Sequence, residues 1–89
     1  MQFGSIRFEL QLDSDVGGEF LAKGLTYNQR LIKVNLKMNH FKVNSGLYFL
    51  EAVKNNKNIE ILNLNMNLLA PNHLQDIQKK LSQNAIKGP

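Results

Sequence analysis

Leu31-Ile32-Lys33-Val34-Asn35-Leu36-Lys37-Met38-Asn39-His40-Phe41 decides how the rest of the chain is read. Its apolar residues at 31, 34, 36 and 41, with an asparagine at 39, fit the pattern L-x-x-L-x-L-x-x-N-x-L. Val34 and Phe41 stand in two of the leucine places. The same pattern returns 28 residues later at Ile59, Leu62, Leu64, Asn67 and Leu69, with every element kept. Twenty-eight residues earlier stand Phe3, Ile6, Phe8, Gln11 and Asp13, where three positions stay apolar and Gln11 replaces the asparagine.

The intervening halves repeat with the same spacing. Gly18 aligns with Gly46, Leu21 with Phe49 and Ile77, Leu25 with Val53 and Leu81, and Asn28 with Asn56 and Asn84. Three units follow, about 3–30, 31–58 and 59–86, within a single domain spanning 1–89, and 85–89 reads as a frayed tail.

Within each unit the apolar period changes from two to about 3.6, so each reads as a short strand followed by a helix. The first strand lies in 3–12, where Ile6, Phe8, Leu10 and Leu12 alternate with polar residues. The second covers Lys33–Leu36 and the third Ile61–Leu64. Asp13-Ser14-Asp15 reads as a turn and Gly17-Gly18 as a tight approach to a helix over about 19–25, with Leu21, Ala22 and Leu25 facing inward. Ser45 reads as the N-cap of the second helix, its hydroxyl taking a first-turn amide, and Phe49, Leu50 and Val53 form that helix's buried stripe. Pro71 suits the start of the third helix, where its missing N–H is not needed. Leu74, Ile77 and Leu81 are expected to face inward. This last helix is the more polar one, with Asp76 where the second has Tyr48 and Lys80 where it has Ala52, as an open end requires.

Asn39 and Asn67 follow directly after a strand, where the chain bends and its backbone groups lose their sheet partners. A side-chain amide there can both donate to and accept from the neighbouring unit, satisfying groups that would otherwise cost ~1–3 kcal/mol each. Gln11, Asn39 and Asn67 therefore read as a structural amide ladder. Asn35, Asn58, Asn63 and Asn65 read as surface residues.

The unit resembles the ribonuclease-inhibitor-like class of leucine-rich repeats, whose 28-residue units alternate a short strand with a full α-helix. The resemblance covers 3–86 and is carried by the second and third units. The first unit departs from it at Gln11 and Asp13. It implies an α/β fold: a short right-handed solenoid of about three repeats, with a parallel concave sheet and convex helices. It also implies a protein-binding scaffold, the usual role of that class, whose members include repeat-bearing bacterial effectors and ciliary proteins.

On that register the outward strand residues form columns: Ser5, Lys33 and Ile61; Arg7, Asn35 and Asn63; Glu9, Lys37 and Asn65; Leu10, Met38 and Met66. The expected protein-binding face comprises Arg7, Glu9, Lys33, Asn35, Lys37, Met38, Ile61, Asn63, Asn65 and Met66. Mixed charge beside a methionine edge suits a protein partner, since methionine adapts to irregular surfaces. The alternative is a structural or assembly element: a piece of a longer repeat protein, or an end-to-end homo-oligomer in which the uncovered Phe3, Ile6 and Phe8 edge is capped.

Composition narrows the remaining classes. The chain has 89 residues, 43% hydrophobic and 20% charged, which suits one small globular domain. No stretch approaches the ~18 apolar residues of a membrane span, and the alternating N-terminus has no signal-peptide core. With no cysteine, disulfides and thiol chemistry are excluded; a cytoplasmic location is expected, with secretion as an effector the alternative. The net charge of +4 comes mainly from scattered lysines and reads as a mildly basic surface. Lys33, Lys37 and Lys42 lack interleaved exposed aromatics, so nucleic acid is not an expected partner. His40 and His73 fall at non-equivalent unit positions, which argues against a zinc site. Asp13, Ser14 and Asp15 fit a polar turn better than an acid–base or metal centre. Neither G-x-x-x-x-G-K-S/T nor G-x-G-x-x-G occurs, and Arg7 has no companion groups for phosphate chemistry. No enzyme activity, cofactor or metal is expected.

Overall fold

The computed structural model describes residues 5–7 and 14–86; for 5–7 and 14 it describes the backbone. The order is β1 (Ser5–Arg7), α1 (Ser14–Tyr27), β2 (Lys33–Asn35), α2 (Val43–Lys54), β3 (Ile61–Asn63) and α3 (Pro71–Ala85). The strands pair in parallel in the order β1-β2-β3, with Ile6 beside Val34 and Val34 beside Leu62. α1 packs on α2, and α2 on α3.

Spacing explains which side chains enter the core. In α2, Ser45, Phe49, Ala52 and Val53 are fully buried at helical intervals; in α3, Ile77, Leu81 and Asn84 are. Val34 and Leu36 turn inward from β2 and its exit, as Leu62 and Leu64 do from β3. Phe41 and Phe49 meet edge to face, their ring centroids 5.1 Å apart and their planes at 67°, which joins the chain after β2 to the middle of α2.

The expected solenoid of about three repeats with a concave parallel sheet is corrected by these proportions. Helices of 14, 12 and 15 residues face strands of three residues each, and only β2 and β3 have described side chains on both members of a pair. So short a sheet forms no concave surface; the protein is a small helix-dominated α/β unit. The cause is local. Asn35 Oδ1 accepts the Lys37 N–H and Asn63 Oδ1 the Asn65 N–H, both at 3.0 Å. Such turns bend the backbone out of its extended form, so β2 and β3 end at their asparagines although Leu36 N–H still reaches Asn63 O and Met38 N–H reaches Asn65 O.

The first helix also differs from expectation. It begins at Ser14, so Asp15, Gly17 and Gly18 lie inside it and not in a turn before it. Gly18 is inside because α2 comes very close: a Cβ there would stand 2.9 Å from Ser45 Cβ. Ser45 itself is not the N-cap of α2. The helix starts two residues earlier, after Lys42, which supplies no side-chain cap. Leu74, expected to face inward, is half exposed, because α3 turns Ile77 and Leu81 toward the core. Among the described residues no helix is long and apolar enough to cross a membrane.

Candidate protein-binding face

Parallel pairing sets Lys33 beside Ile61 and Asn35 beside Asn63, with β1's Arg7 in register with Asn35. Since Val34 and Leu62 are buried, alternation turns Lys33 and Ile61 outward, and both are exposed. Asn35 and Asn63 are half-buried and spend their oxygens on the amides described above, leaving them less able to accept from a ligand. Lys37 and Asn65 are exposed at the turns that follow. Glu9, Leu10 and Gln11 lie outside the described residues, as does the side chain of Arg7.

The turns hold the distinctive geometry. Met38 and Met66 both have left-handed backbone, with φ of 60° and 61°, as does His40 at 62°. A non-glycine residue there carries a backbone cost of roughly 1–2 kcal/mol. Neighbouring bonds hold the shape: Met38 N–H donates to Asn65 O at 3.1 Å, and Leu68 N–H to Phe41 O at 2.7 Å. The two methionines therefore stand on adjacent turns, and Met66 is 66% exposed. Leu68, exposed to 68%, adds to this apolar edge. Sequence reasoning missed Leu68; its signal was an apolar residue 28 positions after the polar His40.

Beneath the turns lies an amide network. Asn67 Oδ1 accepts the N–H groups of Asn39 and Phe41 at 2.9 and 3.0 Å. Its Nδ2 donates to Leu36 O and Leu64 O at 2.9 and 3.0 Å. Asn39 is itself buried and donates to Lys37 O at 3.3 Å. A second set joins the far ends of the helices. Asn56, fully buried, donates to Leu25 O at 2.6 Å and Asn28 O at 2.7 Å and accepts the Asn58 N–H at 2.9 Å. Asn84 donates to Asn56 O at 2.8 Å and Ile59 O at 2.9 Å. Asn28 turns its oxygen to the amides of Arg30 and Leu31. The alignment of Asn28, Asn56 and Asn84 was the available signal for this second set.

No family model matches this sequence, and no curated protein matches it.

The chemistry of the face is that of a surface. Its cations are Lys33 and Lys37, its apolar part is Ile61, Met38, Met66 and Leu68, and its fixed groups are the asparagine turns. The depression between β3 and α3, lined by Leu62, Leu64, Leu74 and Gln78 among others, holds about 280 Å³. Small-molecule pockets usually run ~300–1,000 Å³ and enclose their ligand. Among the described residues no group of three or more His, Cys, Asp or Glu side chains could hold a metal ion. His73 Nδ1 is buried with no hydrogen-bond partner, but it lies against Gly46 in the α2–α3 contact, away from the strand residues.

Proposed function

We propose that this protein is a non-enzymatic protein-binding module that works in the cytoplasm through the outward residues of β2 and β3 and the turns after them. The observation that carries the reading is the pair Met38 and Met66, both exposed and both held in left-handed backbone on neighbouring turns. Strained backbone persists where the surrounding structure over-determines it, and such sites cluster where function needs a fixed shape. Flexible thioethers on a fixed backbone give an apolar edge that adapts to a partner without moving the chain. Lys33 and Lys37 beside it favour a segment with carboxylates flanking its apolar anchors. The resemblance of the 28-residue pattern to leucine-rich repeats supports binding over catalysis.

A displayed random-peptide library selected on the wild-type protein tests this. Enriched peptides are expected to combine Asp or Glu with large apolar residues and to shift the amide resonances of 33–38 and 61–68. Lys33→Glu with Lys37→Glu should abolish selection of that class. Shifts centred on the helix side of the molecule, at Lys54, Lys79 and Gln83, would overturn the assignment.

A further inference from the structure

We infer that the outer face of α1 is a homodimer surface, on which α1 of a second copy lies antiparallel. This stands independently of the strand-face reading, because it rests on another element. Phe20 is 73% exposed and Tyr27 82%, with Val16 also exposed. Together with Gly24 they occupy positions 16, 20, 24 and 27, which is one face of a helix. Gly24 completes the observation. A Cβ at Gly18 or Gly46 would collide with the neighbouring helix, whereas one at Gly24 would meet nothing within 4 Å. A mid-helix glycine disfavours the helix without an evident intramolecular reason there.

The 28-residue correspondence shows what such a face does elsewhere in the molecule. Tyr48, the counterpart of Phe20, packs partly buried against the core and lines the α1–α2 contact with Glu19, Ala22, Lys23 and Thr26. Ala52, the counterpart of Gly24, is fully buried. Phe20 and Gly24, the middle of the α1 stripe, thus correspond to positions by which α2 docks onto its neighbour. On α3 the surface available to a further helix carries the exposed Gln75, Gln78 and Ser82 beside the partly exposed Leu74, so head-to-tail stacking would set much of the apolar stripe against side-chain amides and a hydroxyl. A two-fold contact sets the stripe against itself. With Val16 opposite Tyr27 of the second copy, each Phe20 ring seats over the other's Gly24. Glu19, which pairs with Lys23 of its own helix at 3.7 Å, then also neighbours Lys23 across the axis. Six apolar side chains bury on the order of 800 Å² in total, below the ~1,200 Å² of stable interfaces, so the dimer is a weak one.

Sedimentation equilibrium of the full chain from micromolar to millimolar concentration is the test. The mean mass should rise from 10.1 kDa toward twice that value. Phe20→Glu and Gly24→Leu should each weaken association by about tenfold or more. Both positions are open in the monomer, so far-UV circular dichroism at low concentration should stay unchanged. A monomer at every concentration would overturn the inference. So would a dimer insensitive to both substitutions, which would place the contact on another surface.

Discussion

The Asp15 carboxylate of α1 accepts the Ser45 hydroxyl of α2 at 2.6 Å, and the same oxygen accepts the amides of Lys42 and Ser45 at 3.1 and 3.2 Å. The first turn of α2 is thus capped from a neighbouring helix and not from its own sequence. Its Lys42 cannot perform that role, and a carboxylate at a helix N-terminus also meets the positive end of the macrodipole. Asp15→Ala should cost about 2 kcal/mol in urea denaturation, since it removes the acceptor of the Lys42 amide and of the buried Ser45 hydroxyl, while the Ser45 amide keeps Lys42 O at 3.1 Å. Asp15→Asn keeps an oxygen acceptor and should cost less than half of that.

Asn56 is the second place where one side chain joins two units. Asn56→Ala removes the donor from Leu25 O and Asn28 O and the acceptor from Asn58 N–H, and should destabilise by roughly 2–4 kcal/mol. Asn55, the C-cap of α2, is exposed, and its side chain donates to Glu51 O of the helix it closes. Asn55→Ala should stay within about 0.5 kcal/mol of wild type. Equal losses for the two would contradict the structural role given to Asn56.

The helix glycines separate by environment. Gly18→Ala and Gly46→Ala should both destabilise, the first against Ser45 and the second against His73, whose Nδ1 would stand 2.8 Å from the added carbon. Gly24→Ala should stabilise the monomer by about 1 kcal/mol, because only helix propensity changes. Thermal melts at low protein concentration check the opposite signs.

At the turns, stability and binding should move in opposite directions. Met38→Gly and Met66→Gly relieve the cost of left-handed backbone and should stabilise the fold by about 0.5–1 kcal/mol each. They also remove the apolar edge, so peptides selected on the wild type should bind at least about tenfold more weakly. Denaturation midpoints together with titration calorimetry read both effects. A stabilised variant with full affinity would remove the methionines from the binding surface.

The order of elements was legible in the hydrophobic spacing, because burial of Val34, Leu36, Phe41 and Phe49 leaves a mark in the sequence. Strand length was not, since Leu36 reads as strand yet lies inside the turn that the Asn35 side chain closes on the Lys37 amide. The start of α1 was hidden for a similar reason. Ser, Asp and Gly at 14–18 favour turns locally, and only the approach of Ser45 explains a helical glycine at 18. Asparagine chemistry was half legible. Asn39 and Asn67 follow strands and invite a role in the bend, whereas Asn56 closes a helix and looks like an ordinary terminus until the Leu25 and Asn28 carbonyls are placed against it. Of the proposed binding face, the columns could be written from alternation, but the left-handed backbone of Met38 and Met66 carries no mark in residue type.

The asparagine bonds between neighbouring units span 26 to 31 residues. That spacing sets a timetable for synthesis. The amides of Asn39 and Phe41 must wait for Asn67 to leave the ribosome, and the Asn56 carbonyl must wait for Asn84. A chain released only as far as α2 holds its bends without their partners, so its early helices gain their full stability only as the later ones emerge.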